Sequence, residues 1–180
     1  MAQEPNVIDL YEGAVHQMLP ILGGVKADQL GASTPCIEWT VQNLIIHNIK
    51  GNNTVDAMQV GDPIPSEGAV DAFTAGTNDV LNLLKTTDDL MEVIETPFGD
   101  MPIAHFAMFL TIDIIIHKWD IAKGTGQSTA IDAGLAESTF GALQMGAEIG
   151  RQFGLFASEV EIPLSASIQD KLLAASGRQP

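Results

Sequence analysis

Three polar residues interrupt an apolar segment in the middle of the chain, and together they could do chemistry. Nearly every residue from Phe106 to Ile121 is apolar, yet the segment contains Asp113, His117 and Asp120. At about 100° per residue of helix, the two acids fall within roughly 20° of each other, with the imidazole about 40–60° away. A carboxylate in apolar surroundings is costly unless a cation, a donor or water satisfies it. The segment therefore predicts an acid–imidazole–acid stripe on a buried helix.

The spacing of Asp113 and His117 suits a metal ion. A carboxylate and an imidazole at i and i+4 lie one turn apart on the same face and can share one ion. A third ligand would come from another helix, and His47 in NLIIHNIKG lies at the edge of an apolar stripe. Two simpler interpretations stay open: Asp113 and His117 hydrogen-bond each other or face a wet groove, and His47 is a satisfied core or boundary histidine.

The remaining candidates have supporting or structural interpretations. Asp120 could accept a hydrogen bond from the ring nitrogen of His117 that the metal does not use, as a second-shell residue. Alternatively, it bonds a neighbouring helix or faces solvent. His16 and His105 are expected to be structural or surface residues. Cys36 could be a redox-active thiol or a ligand, but no basic residue lies close to it in the sequence, which favours a buried, unreactive thiol.

The elements that must position these residues are mostly helices. Apolar residues recur at spacings of three and four in five long segments, namely 7–22, a segment capped by Thr40 that reaches Val55, 69–85, 103–123 and 132–150. GDPIPSEG (61–68) is predicted to be a loop, MEVIETPFGDMP a short extended excursion or hairpin, and EVEIPL an extended segment. SIQDKLLAAS is predicted to be a short helix that ends at Gly177, and Gly124 in KGTGQ to stop the fourth helix. With no linker visible, residues 1–180 are expected to form one all-α domain, an antiparallel bundle of four or more helices.

Composition excludes several classes of partner. The chain has 8 Lys and Arg against 23 Asp and Glu, a net charge of −15. Binding nucleic acid or an anionic membrane surface requires clustered basic residues, so neither partner is expected. The single Cys excludes an intramolecular disulfide. The longest apolar stretch, 106–116, is too short for a membrane span of about 20 residues. Because MAQEPNVIDLYEG contains no export signal, we expect a soluble cytoplasmic protein.

Four segments together resemble a known family. They are TPCIEWTVQNLIIHNIKG (34–51), TPFGDMP (96–102), DIIIHKWDIAKGTGQ (113–127) and DKLLAASGRQP (170–180). Their combination and order are similar to the mycothiol-dependent maleylpyruvate isomerase family of the DinB-like metal-binding superfamily. The similarity is greatest to its short, single-domain actinobacterial branch, which corresponds to the N-terminal domain of the isomerases.

The resemblance implies a fold and a ligand set. The fold would be a DinB-like antiparallel four-helix bundle, here with an additional short C-terminal helix and a possible small hairpin. A divalent metal would lie between helices, bound by a His of the second helix and a carboxylate–x3–His pair of a later helix. By motif these residues are His47, Asp113 and His117. Family members usually have Glu in place of Asp113, so the helices must lie closer together or the carboxylate must bind through water.

The function implied is a metal-dependent enzyme that activates a low-molecular-weight thiol, mycothiol or a similar one, for transfer to an electrophilic small molecule. Zinc is the expected metal, with iron and nickel as alternatives. Maleylpyruvate isomerases carry a further C-terminal domain that contributes to the substrate site, so we expect a thiol transferase or an isomerase-like enzyme without assigning the isomerase reaction. The alternatives are a hydrolase that uses metal-bound water and a non-catalytic metal- or ligand-binding bundle. The expected partners are a small-molecule substrate and a possible second copy in a homodimer.

Overall fold

Helices form most of the chain. A computed structural model describes residues 6–37, 39–52, 66–152 and 154–180. These residues contain one 3₁₀ turn (Ala27–Gln29), one two-stranded hairpin and six α-helices. The helices are α1 Val7–Gly24, α2 Val41–Gly51, α3 Ser66–Thr86, α4 Ile103–Thr125, α5 Ala133–Gln152 and α6 Ile168–Ala175. The predicted all-α class is confirmed.

Side-chain caps define where three helices begin. The Asn6 side chain accepts hydrogen bonds from the first turn of α1. Thr40 caps α2, as the sequence predicted, and also forms a capping box with Asn43 that satisfies donors on both sides of the helix start. At the start of α6, the Ser167 side chain accepts a hydrogen bond from the Asp170 amide. The position of α2, which carries His47, is therefore set by local chemistry.

Helix α4 lies at the centre of the packing. It contacts α1, α2 and α5, while α1 and α2 both pack against α3. Its side chains are buried on several sides, including Ile114, Ile115, Trp119 and Ile121. A helix that is apolar around most of its circumference is expected in such a position. The buried polar residues of α4, among them His117 and Asp120, consequently meet groups from other elements rather than bulk solvent.

The end of α4 differs from the prediction, which placed it at Gly124. The helix continues to Thr125 and ends at Gly126, which has a left-handed φ of 70°. Gly124 lies inside the helix, where a Cβ would come within 3.0 Å of the Ser33 carbonyl oxygen and 3.2 Å of a Val41 methyl group. Its missing side chain allows the segment 33–41 to pack directly on α4, and this segment precedes α2.

Other helix boundaries also differ from the prediction. Helix α1 continues past Leu22 to Gly24 because Ile21 and Leu22 are still buried in the core. Helix α3 begins at Ser66, inside the predicted loop 61–68, since Ser and Glu are favourable in a first helical turn. The other residues of that loop and Val55 lie outside the described residues.

The shorter elements agree with the sequence more closely. The predicted hairpin forms from β1 (Val93–Ile94) and β2 (Met101–Pro102), which are antiparallel and lead directly into α4. EVEIPL forms no strand, although the Val160 amide donates to the Ala174 carbonyl.

None of the described helices combines the length and the apolar character that crossing a membrane requires.

Candidate metal centre

The structure brings His47, Asp113 and His117 together between α2 and α4. The Nε2 atom of His47 lies 3.1 and 3.0 Å from the two carboxylate oxygens of Asp113. The Nε2 atom of His117 lies 3.4 Å from Oδ1 of the same carboxylate. Asp113 is thus enclosed by two imidazoles, one from each helix.

The charges in this cluster depend on one another. Burial raises the pKa of Asp113, but the charge of His117 and hydrogen bonds from both imidazoles outweigh it and hold that pKa well below its usual range. Burial likewise lowers the pKa of His117, but the charge of Asp113 and hydrogen bonds to Asp113 and Asp120 raise it to about 9. The carboxylate is accordingly ionised, and the charged form of His117 is its positive partner.

The three residues also have the geometry of a ligand set. One ligand atom from each, an imidazole nitrogen or a carboxylate oxygen, lies within 4.8 Å of the others. Helices α2 and α4, which carry these residues, are in direct contact. Two imidazoles and one carboxylate form a donor set suited to zinc, iron or nickel. The residues therefore fit a divalent ion, whose binding stays a prediction.

Trp39 covers the two imidazoles. Its ring is stacked 5.9 Å from the His117 ring and packs edge-on against the His47 ring at 4.9 Å. Beside it, a groove of about 380 Å³ is lined by Trp39, Asn43, Ile46, His47 and Lys50. One side of the cluster is thus covered by an indole and another opens into a groove.

The second nitrogen of His117 faces a different carboxylate. Its Nδ1 atom lies 3.0 Å from Oδ2 of Asp120, which is fully buried. Arg178, from the turn after α6, donates to the same oxygen from Nη2 at 2.8 Å and to Oδ1 from Nε at 3.4 Å. Of the interpretations open for Asp120, the structure shows contact with the imidazole and pairs the carboxylate with a guanidinium.

A second group of possible ligands contains Cys36, His117 and Asp120, whose ligand atoms also lie within 4.8 Å of one another. The prediction of an unreactive thiol rested on the absence of basic residues nearby in the sequence, but Arg178, which is far away in the chain, lies near Cys36 in space. Burial raises the pKa of Cys36, Arg178 lowers it, and Asp120 and Asp113 raise it, with a net increase. The thiol is half-buried and is not activated.

Comparison with known proteins finds two mycobacterial relatives of the chain. It is 34% identical over 165 residues to the uncharacterized protein Rv0738 of Mycobacterium tuberculosis strain H37Rv and to the uncharacterized protein MT0763 of strain CDC 1551. Each alignment covers 88% of this chain and 90% of the relative. The chain belongs to the family of these mycobacterial proteins. No family model and no solved structure matches it.

Two residues of the centre, Arg178 and Trp39, were not predicted from the sequence. Arg178 was part of the closing segment DKLLAASGRQP, but nothing local assigned it a partner 58 residues away in the chain. Trp39 is separated from His117 by 78 residues and meets it only through the packing of α4. His16 and His105 are exposed, as expected, and neither belongs to a group of possible metal ligands among the described residues.

Proposed function

We propose that the protein binds one divalent metal ion through His47, Asp113 and His117, and acts as an enzyme on a low-molecular-weight thiol. The observation that carries the proposal is the convergence of two imidazoles and one carboxylate from two helices on one point. In this cluster Asp113 faces imidazoles rather than a guanidinium or an ammonium group. A divalent cation would neutralise it directly.

The packing supports a DinB-like four-helix bundle as the scaffold. Helices α1 and α2 each contact both α3 and α4, so the four helices close a ring of contacts. The predicted ligands belong to the second and fourth helices of that ring. Helix α6 is the additional short C-terminal helix, and α5 packs against both α4 and α6.

The residues around the cluster have separable roles. His47, Asp113 and His117 would hold the ion, zinc being the expected metal. Such an ion, when bound, supplies Lewis acidity that lowers the pKa of a coordinating thiol. Trp39 excludes water from one side of the imidazoles, and the neighbouring groove gives a small molecule access to His47. Mycothiol is the expected thiol because of the resemblance of four sequence segments to the mycothiol-dependent isomerase family.

Metal analysis of untagged protein, followed by calorimetry, tests the proposal. We expect close to one equivalent of zinc per chain, and heat of binding with mycothiol or a related thiol only in the zinc-loaded protein. The matched controls are the metal-free protein and a non-thiol analogue in which a hydroxyl replaces the thiol. Stoichiometric zinc without thiol binding would refute the thiol part and leave the hydrolase and the binding module. Absence of any stoichiometrically bound divalent metal would refute the metal centre itself.

A further inference from the structure

A buried arginine from the end of the chain lies directly behind the candidate metal centre. Arg178 makes two hydrogen bonds to the carboxylate of Asp120, at 2.8 and 3.4 Å, and both side chains are almost completely buried. Asp120 in turn lies 3.0 Å from Nδ1 of His117. An unbroken chain of contacts thus runs from the C-terminal segment to a predicted ligand.

The local backbone holds Arg178 in this position. The Nη1 atom donates to the Ser176 carbonyl at 2.9 Å, and the Arg178 amide donates to the Leu173 carbonyl at 2.9 Å. Gly177 has a φ of +83°, and a Cβ there would lie 2.6 Å from that of Ala157. Only glycine suits this turn, which directs the guanidinium inward.

The guanidinium determines what Asp120 can do. A buried carboxylate is strongly unfavourable unless it is paired and hydrogen-bonded, and the planar fork of Arg178 supplies both. A carboxylate paired in this way can only accept hydrogen bonds, so the Nδ1 atom of His117 must donate. The lone pair of a neutral His117 ring is then on Nε2, the nitrogen that faces Asp113.

We infer that Arg178 is a positioning residue of the metal centre, which fixes the ring orientation and the tautomer of His117 through Asp120. The inference rests on the proposed metal site. It also excludes a cation at the grouping of Cys36, His117 and Asp120, because the guanidinium already occupies the positive position beside that carboxylate. The packing of the turn after α6 therefore affects how well the site can bind the metal ion.

The first test compares zinc affinity by chelator competition in Arg178→Gln, Arg178→Lys and Arg151→Gln proteins. Arg151 is the matched control because it donates to the Ala175 carbonyl at 3.0 Å and also ties down the end of α6, without touching Asp120. Loss of a group that orients a ligand typically costs roughly 10–100-fold in metal affinity, which we expect for Arg178→Gln. Arg178→Lys keeps the charge without the fork and should lie in between. Unchanged affinity in Arg178→Gln, or an equal loss in Arg151→Gln, would overturn the inference.

A second measurement needs no metal and separates this inference from the proposed function. In metal-free protein, a hydrogen-bonded Nδ1–H of His117 should give a downfield, slowly exchanging proton resonance by ¹⁵N-edited NMR. We expect that resonance in the wild type and in Arg151→Gln, and its loss in Arg178→Gln. Its persistence in Arg178→Gln would refute the positioning role, even in a protein that binds zinc. A wild type that shows this pattern but binds no zinc would refute the proposed function and leave the role of Arg178 in orienting His117 supported.

Discussion

The two ring nitrogens of His117 face two carboxylates in contrasting environments. On the Nε2 side, the side chains of His47 and Asp113 are 35% and 18% exposed, and the carboxylate contacts imidazoles. On the Nδ1 side, the side chains of Asp120 and Arg178 are 0% and 8% exposed, and the carboxylate contacts a guanidinium. Each side places a carboxylate beside the same imidazole. The two sides differ in solvent exposure and in the other group that contacts the carboxylate.

This difference distinguishes the candidate metal site on the Nε2 side from the residues on the Nδ1 side, which position the His117 ring. A carboxylate paired with a fixed guanidinium has little to gain from a further cation, whereas a carboxylate flanked by imidazoles is strongly stabilised by one. The Nε2 side is also accessible from a groove, while the Nδ1 side is closed by the turn after α6. An acid–histidine pair therefore indicates a metal site only when its remaining partners are known.

The largest effect is expected from replacing the residue that the two sides share. His117→Ala removes one of three predicted ligands and the link to Asp120, so stoichiometric zinc binding should be abolished. Zinc should raise the Tm of the wild type and leave that of the variant unchanged, because only a protein that binds the ion is stabilised by it. Elemental analysis and thermal melts with and without zinc measure both effects.

His105→Ala is the control for that variant, because His105 lies on the same helix and is exposed. It should bind zinc as the wild type does. A full equivalent of zinc retained by His117→Ala would show that the Nε2 side of His117 is not the metal site.

The next effect isolates the carboxylate on the open side. Asp113→Ala should weaken zinc binding strongly, since it removes both the ligand oxygen and the charge that attracts the cation. Asp113→Glu, the residue usual in the family that the sequence resembles, should preserve binding because it keeps both. Asp113→Asn keeps the shape without the charge and should bind between these two. Equal zinc affinity in all these proteins, measured by chelator competition, would show that Asp113 is not a ligand.

Much of this comparison could be predicted from the sequence, for local reasons. The spacing of Asp113, His117 and Asp120 follows from helical periodicity, which placed the two acids on one stripe with the imidazole. The start of α2 followed from the Thr40 cap. His47 required the resemblance to a family, since periodicity alone left it as an ordinary boundary histidine.

The contrast between the two sides could not be predicted, because it depends on contacts between distant parts of the chain. Arg178 reaches Asp120 only through the turn at Gly177, and Trp39 reaches His117 only because Gly124 allows segment 33–41 to pack on α4. The absence of basic neighbours in the sequence likewise gave a false picture of the surroundings of Cys36. A single sequence contains no signal for these pairings.

A smaller effect on affinity is expected on the closed side. Asp120→Asn replaces the charged acceptor that orients His117 with a neutral amide, and should cost roughly 10–100-fold in zinc affinity. It also leaves the buried guanidinium of Arg178 without a negatively charged partner, which should lower the free energy of unfolding by about 3–5 kcal/mol. The double variant Asp120→Asn/Arg178→Gln removes that charge, so its stability should recover in part while its zinc affinity does not. Chelator competition and urea unfolding separate the two quantities; an unchanged zinc affinity in folded Asp120→Asn would limit Asp120 to a structural role.

The smallest effect is expected for Cys36, although its thiol lies within 4.8 Å of ligand atoms of His117 and Asp120. Zinc binds the thiolate, and burial raises the pKa of this thiol despite the nearby guanidinium. Arg178 moreover holds Asp120 on the side where Cys36 would have to share an ion. Cys36→Ser, which preserves the size of the side chain, should therefore bind zinc with wild-type affinity in a chelator competition. A marked loss of zinc affinity in Cys36→Ser would place the ion on the Nδ1 side of His117. The residues on the Nε2 side would then position the ring instead of binding the metal.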